Sequence, residues 1–516
     1  MNRKKILTET KNKKFDLIVI GAGATGAGIA LDATTRGLSV LLIEKDDFSC
    51  GTSSKSTKML HGGVRYLENA ILNFDKKSFT LVKEGLEERG YALKNMKHLA
   101  NSKKFITPLY RWIDIPKVFI GLKLYDIIAG KFRIGKSSFL SRANVKKNYT
   151  HIKSKNLKGA VTYYDGQFND VRANISIILT AFKKGALVLN YSQLIELNKS
   201  NNKIIGVKIK DKISNEIYDI ESKAVINATG PFVDTIRFLD NNLSKPLLAL
   251  SSGVHIVVNK SFLELENGVF IPSTEDGRVL FILPWEDSTL IGTTDNRCEL
   301  EEELEVKDED IEYILRHINR YFNLNIEKKD IQSSWLGLRP LVFDNKNTAS
   351  HKFLRSHYID ISDSGLITIA GGKWTSYRKM AEDTVDVAIE RFNLDATSCI
   401  TKNLPIIGSD NFDNNLYKKL MKKYDLDKDV AIHFQNYYGS YANKVARFCI
   451  EIALTKRLDE NYPYLEGEVI YIYHNEMAIS VDDILSRRLL LKMIDSKTAQ
   501  KLEKKVQQLI KSFNKP

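Results

Sequence analysis

Gly21, Gly23 and Gly26 stand in the spacing G-x-G-x-x-G, and a carboxylate, Glu44, follows them. The acid lies about 20 residues downstream, the reach of a group that holds an adenosine ribose. Gly21 allows a tight turn, Gly23 lets the backbone approach a diphosphate, and Gly26 lets helix pack on strand. Thr25 lies inside the same turn. A helix starting here aims unpaired N–H groups at the anion. The elements that must position these residues are legible around them. The apolar run Phe15–Ile20 precedes the turn, small residues follow it, and Ser39–Ile43 forms a second strand ending at Glu44. Strand, turn, helix, strand and acid in that order point to a dinucleotide. The motif by itself leaves NAD and FAD both open.

At 516 residues the chain has room for two or three domains. Hydrophobic residues at 43% and charged residues at 27% describe an ordinary globular protein. No uninterrupted apolar run reaches the ~18 residues that a membrane-spanning helix needs. The leader MNRKKILTETKNKK is too short and polar for a signal peptide, and Glu9 argues against a transit peptide. The chain is therefore expected to stay where it is made, in the cytoplasm. Cys50, Cys298, Cys399 and Cys449 are far apart, with no C-x-x-C, which argues against disulfides, a zinc site or a thiol redox pair. No metal site is expected. The net charge of +14 fits either a basic face for an anionic partner or a lysine-rich composition spread over every surface.

Further along, Ser49–Tyr66 is polar and glycine-rich, and helical patterns follow to about Tyr91. Residues 105–132 are apolar with charges and two prolines, as in an amphipathic or buried helical hairpin. Gly159–Tyr164 is strand-like, and Asp170 opens a helix over Val171–Lys184. The strand Ala224–Asn227 runs into Ala228-Thr229-Gly230-Pro231, like the return strand of a doubly wound sheet whose C-terminal end lies near the cofactor. Short strands separated by turns fill 245–345, and Leu366–Lys373 resumes the nucleotide fold. After about 404 the pattern is helical. Ser480 and Asp483 form a capping box for a helix through Met493, and a last helix runs from about Lys497 to Phe513. The expected division is a dinucleotide-binding fold in three segments (15–100, 159–244 and 346–403) and a helical, membrane-proximal 101–158. An antiparallel-sheet substrate domain at 245–345 and helices over 404–516 complete it.

Several longer motifs occur in order: IGAGATGAGIALDATTRG, FSCGTSSKSTKMLHGGVRYLE, YYDGQFNDVR, NATGPFVD, GRVLFILPWEDSTLIGTTD, GLRPL and GGKWTSYRKMA. Together with PYLEGEVIYIYHNEMAISVDDILSRRLLL they resemble the FAD-dependent glycerol-3-phosphate dehydrogenase family over nearly the whole chain. The resemblance implies FAD as cofactor and an α/β fold, α+β overall. Its FAD domain would be of the two-dinucleotide-binding type found in the D-amino-acid oxidase class, beside an antiparallel substrate domain and an all-α C-terminal domain. It implies oxidation of sn-glycerol 3-phosphate to dihydroxyacetone phosphate, with electrons passed to a membrane quinone. A peripheral protein on the inner face of the cell membrane follows, touching anionic lipid through 105–132 or the basic C-terminal helix, with a homodimer possible and no nucleic acid.

Flavin oxidation of a secondary alcohol needs a proton acceptor, a hydride path and stabilisation of developing negative charge. On the resemblance, His255, Arg339 and Lys373 are the candidates for catalysis. Arg65, Tyr66, His255, Arg339 and Arg355 are the candidates for substrate binding. The arginine fork suits phosphate, and His255 suits a base or hydrogen-bond partner. Thr52, Ser53, Ser56, His61, Gly62, Gly230, Gly372, Lys373 and Thr375 are expected along the cofactor, beside Gly21, Gly23, Thr25, Gly26 and Glu44. Two other readings are carried: an oxidase that reduces O2 to H2O2, and a basic flavoprotein acting on nucleic acid, for which the sequence offers charge but no compact basic tract.

Overall fold

The computed structural model describes residues 1–64, 75–301, 304–343, 353–354 and 356–513. Four parallel strands form its centre: Ile367–Gly371, Ile217–Asn227, Phe15–Ile20 and Val40–Ile43, with Leu187–Leu189 parallel at one edge. The antiparallel strand His357–Ile361 closes the other edge. Leu17, Ile18, Val19, Leu41, Leu42, Val225 and Ile226 are wholly buried, as strands covered on both faces must be. Helix Ala24–Thr35 returns from Phe15–Ile20 to Val40–Ile43. Helices Asp170–Lys183 and Tyr377–Phe392 flank it. A Cβ at Gly28 would stand 2.9 Å from the Tyr377 ring, so Gly28 sets how closely Tyr377–Phe392 lies. The leader is a docked helix, Arg3–Lys11, with Ile6 and Leu7 in the core and Arg3 paired to Asp211 at 2.8 Å.

The second sheet has eleven strands and is larger than the sequence suggested. Leu248–Asn259, Gly268–Ile271, Leu280–Trp285, Ser288–Gly292 and Ile331–Phe343 belong to it, in the region where short strands are legible. So do Ala100–Leu109, Ser138–Ser141 and Gly159–Phe168. Two expectations are thereby corrected. Residues 105–132 are not a helical hairpin: Phe105–Leu109 is strand, and only Asp114–Ile128 is a long helix. Gly159–Phe168 pairs with Ala100–Leu109 over ten positions, in the second sheet and not in the nucleotide sheet. Periodicity reports that a segment is extended, and pairing partners are decided by tertiary packing.

The C-terminal region is helical, as its sequence pattern indicates. It docks through buried ion pairs: Asp47 with Arg487 (2.5 Å) and Arg488 (2.7 Å), and Arg172 with Glu476 (2.6 Å). The capping box forms, since Ser480 Oγ accepts from Asp483 N and the Asp483 carboxylate accepts from Ser480 N, each at 3.0 Å. The helix it starts does not run through Met493. It is one wide turn, Asp483–Arg488, interrupted at Leu490, whose φ is positive. That interruption accompanies the turning of both consecutive arginines onto Asp47. The last helix, Ser496–Phe513, buries Ala499, Leu502, Val506 and Ile510 against Val469, Ile470 and Ile484. Its apolar stripe is core, which leaves lysines outside and no apolar face for lipid.

Candidate active site

The glycine turn is built as its spacing suggests. Gly21 has φ +100°, and a Cβ there would come within 2.7 Å of Ala228 O. A Cβ at Gly23 would lie 2.9 Å from Ser53 Oγ, and one at Gly26 would collide with Gly21 O. Helix Ala24–Thr35 begins directly behind, with Thr25 in its first turn and no side-chain cap from Gly23. Ala24 N donates to Ser53 Oγ (2.8 Å) and Ala22 N donates to Glu44 Oε2 (2.9 Å). The acid therefore stands over the turn. Asn174, on the helix Asp170–Lys183, donates to Ala22 O at 2.9 Å and braces the turn from behind. Nothing in the glycine pattern signals Asn174, because it comes from a distant helix.

From Ser53 the chain runs straight to the substrate sheet. Thr52 Oγ1 donates to Leu338 O (2.8 Å), and Ser56 Oγ donates to Asp170 (2.7 Å). Lys58 is fully buried, paired to Asp170 at 2.5 Å and donating to Ser54 O. Thr57 Oγ1 sits 2.9 Å from His255 Nε2. Thr57 and Lys58 are not singled out by the sequence, since a Thr and a Lys in a polar loop carry no signal of their own, and Asp170 reads there only as the start of its helix. Ser56 turns inward to Asp170.

His255 is 2% exposed, stacked on Trp335 with ring centroids 5.5 Å apart. Its register partner is Gly292, where any Cβ would strike the imidazole. Burial first, then the charges of Arg339 and Lys58, push its pKa well below 6.5, so the ring is neutral at pH 7. Its Nδ1 has no hydrogen-bond partner among the described residues. Arg339 lies on the neighbouring strand, with Gly253 leaving room for its guanidinium. Its fork donates to Ser252 O (3.2 Å), Thr293 Oγ1 (3.0 Å) and Thr294 O (3.1 Å), and about a third of the side chain stays exposed.

Gly371 and Gly372 both have positive φ, +72° and +73°, a turn that side-chain-bearing residues rarely adopt. Lys373 follows, and a small cavity is lined by Lys373, Thr375, Gly372, His61, Glu84 and His357. Thr375 Oγ1 accepts from His61 N (3.1 Å), and Trp374 Nε1 donates to Ser53 O (3.0 Å). Burial and the nearby Lys373 charge push the His61 pKa down to about 3. Gly62 N donates to Tyr125 OH at 2.7 Å. Gly230 has φ +59° just beyond the return strand. Residues 52–63 and 371–376 thus meet across the glycine turn. Arg65, Tyr66 and Arg355 lie outside the described residues. The fingerprint, the His61–Thr375 contact and the His255–Arg339 pair are linked by the single segment 52–63.

A family model described as FAD dependent oxidoreductase matches residues 16–378. A second, the C-terminal domain of alpha-glycerophosphate oxidase, matches 399–513. A probable mitochondrial glycerol-3-phosphate dehydrogenase of Dictyostelium discoideum is 44% identical, over 96% of this chain and 81% of the relative. The chain belongs to the FAD-dependent glycerol-3-phosphate dehydrogenase family. The human mitochondrial glycerol-3-phosphate dehydrogenase is 39% identical over 98% of this chain and 71% of its own length. The FAD-complexed glycerol-3-phosphate dehydrogenase structure from Bacillus halodurans superposes with a TM-score of 0.80 at 31% identity, covering 99% of this chain and 93% of that one. L-alpha-glycerophosphate oxidase of Mycoplasma pneumoniae, at TM-score 0.58 and 15% identity, shares the fold.

The cofactor of this glycerol-3-phosphate dehydrogenase family member is FAD, and the residues present suit it. A Cβ at Gly21 or Gly26 would strike the backbone of the turn itself and one at Gly23 the Ser53 hydroxyl, so glycine keeps the turn as tight as a diphosphate needs, and Glu44 stands where a ribose would lie.

Proposed function

We infer that the chain oxidises sn-glycerol 3-phosphate to dihydroxyacetone phosphate. The observation that carries this reading is the Arg339–His255 pair on the substrate sheet, tied by residues 52–57 to a dinucleotide cradle. Bound FAD supplies a two-electron acceptor for the hydride leaving C2 of the substrate. The rest falls to side chains. A neutral His255 takes the proton of the C2 hydroxyl, and Thr57 orients its ring. The planar Arg339 fork holds the phosphate or the reacting oxygen, with Thr293 and two carbonyls fixing its orientation. Lys373 would supply positive charge beside the cofactor, where negative charge develops on hydride acceptance. Arg65, Tyr66 and Arg355 complete the phosphate set on sequence grounds. Thr375 and the backbone around Gly372 would hold an edge of the flavin ring system.

The electrons pass to a quinone at a membrane surface, on the cytoplasmic face. Among the described residues no helix is long and apolar enough to cross a bilayer. The helix Asp114–Ile128 and the turn before it instead expose Trp112 (67%), Ile113, Ile120 and Ile127 (70%) to the surroundings. Arg111, Lys117 and Lys131 are close by in sequence, and Arg111 stands 3.9 Å from Asp114. Exposed apolar side chains with cations close by in sequence suit shallow insertion among anionic headgroups.

One experiment tests the substrate and cofactor together. The purified protein should be yellow, and sn-glycerol 3-phosphate added without oxygen should bleach it. Bleaching by glycerol alone, or none by the phosphate, refutes the reading. Reoxidation by a short-chain quinone with little oxygen uptake separates the quinone acceptor from O2.

A further inference from the structure

A second cleft, of about 240 Å³, lies away from the site above, between helix Asp170–Lys183 and the C-terminal helices. Its wall is aromatic. Tyr437, Tyr438, Tyr441 and Tyr471 line it, with Leu179 and Phe182 on the facing helix. Its charge is one-sided. The buried Arg172 is matched by Glu476 through two hydrogen bonds, at 2.6 and 2.9 Å, so that pair is neutral. Lys183 and Lys444 are exposed residues of the same lining, with Met1, whose ammonium donates to His474 O, and with Glu476 as its acid; the charge of Asp410 also acts on Lys183. Lys183 Nζ donates to Tyr441 OH at 2.8 Å, and Lys444 Nζ stands 6.0 Å over the Tyr471 ring. Each ammonium is thus held beside an aromatic wall. His98 also lines the cleft, 7% exposed, with Nδ1 bonded to Ser409 and Nε2 without a hydrogen-bond partner among the described residues.

Tyrosine faces take a flat ring by stacking, and the exposed ammoniums of Lys183 and Lys444 take an anion. Pockets that combine a mostly apolar wall with a few placed polar groups are ligand sites. We propose that this cleft binds a small aromatic anion, a planar ring carrying one phosphate or carboxylate, with Lys183 and Lys444 on the anionic group and the ring among Tyr437, Tyr438, Tyr441 and Tyr471. The position gives the site meaning. Helix Asp170–Lys183 carries Arg172 and Ser176 in the cleft wall, and on the same helix Asn174 holds Ala22 O of the FAD turn. An occupant therefore grips the helix that braces the cofactor.

The test uses the FAD-loaded enzyme, so that the nucleotide cradle is filled. Adenosine 5′-monophosphate and benzoate are titrated separately by calorimetry against the wild type and the double variant Lys183→Glu/Lys444→Glu. Both lysines are exposed, so the variant should fold and keep its flavin. Saturable binding of either probe is expected, weakened about tenfold or more by the charge reversal. Binding of the nucleotide alone assigns the anion as phosphate, and of benzoate alone as carboxylate. No saturable binding of either probe at millimolar concentration, or an affinity unchanged in the double variant, overturns the proposal. In a third arm, Tyr441→Ala should weaken binding with both lysines intact, and an unaltered affinity there refutes the aromatic wall.

Discussion

Thr57 Oγ1 lies 2.9 Å from His255 Nε2, so a loop residue of the nucleotide domain fixes a buried imidazole of the substrate sheet on which the charge of Arg339 acts. Removing the hydroxyl leaves a ring nitrogen unpaired inside the protein, at a cost of about 1–3 kcal/mol. Thr57→Val should lower kcat about tenfold with little change in flavin content, and Thr57→Ser should restore it. Steady-state kinetics on the three proteins decide the matter, and an unchanged kcat in Thr57→Val removes Thr57 from any positioning role.

The FAD turn has no room for a side chain at Gly23, where a Cβ would meet Ser53 Oγ at 2.9 Å. Gly23→Leu should therefore be purified colourless. The ratio of visible to ultraviolet absorbance measures this directly, and full flavin occupancy would contradict the cradle.

Arg339 makes its contacts through a planar fork, which lysine lacks. A lost charge-assisted hydrogen bond is worth about 1.5–3 kcal/mol, so Arg339→Lys should lose about ten- to a hundredfold in kcat/KM. The loss should fall on glycerol 3-phosphate far more than on glycerol. Equal losses on both would move the arginine away from the phosphate.

Three buried histidines have pKa values pushed down by burial: His61 and His98 to about 3, and His255 well below its usual 6.5. The unfolded chain protonates them below about 6.5 while the folded one does not, so each withdraws stability as pH falls through that value. The limit is about 1.4 kcal/mol per pH unit per histidine. Chemical denaturation at pH 7, 6 and 5 should show His98→Gln losing stability less steeply than the wild type, by up to that amount. Parallel slopes would mean that His98 is charged in the folded state.

Liposome flotation tests the membrane reading. The protein should float with anionic vesicles at low salt and be partly released at high salt, because screening weakens the lysine contacts but not the apolar ones. Ile120→Glu/Ile127→Glu should sink while retaining flavin and activity toward a soluble acceptor. Flotation unchanged by that pair would place the contact elsewhere.

Much of the cofactor site is local in sequence, and for that reason it was legible. Gly21, Gly23, Gly26 and Glu44 lie within one β-α-β unit, where spacing and backbone sterics suffice to specify a diphosphate cradle. The long helices at Asp170–Lys183 and Ser496–Phe513 were likewise readable from apolar periodicity, to within a residue or two at each end. Other features required the folded chain. Ala100–Leu109 and Gly159–Phe168 look like any apolar segments, and only their ten-residue pairing places them in the second sheet. The stripe of Ser496–Phe513 suits a core somewhat better than a membrane on sequence alone, and the fold packs Val469, Ile470 and Ile484 against it. Thr57 and Asn174 carry no pattern of their own and Asp170 reads only as a helix start, yet they join the FAD turn to His255. Spacing encodes what neighbouring residues do along one backbone. Which distant side chains share a buried polar contact is decided by packing, because each such group must find its partner wherever the fold excludes water.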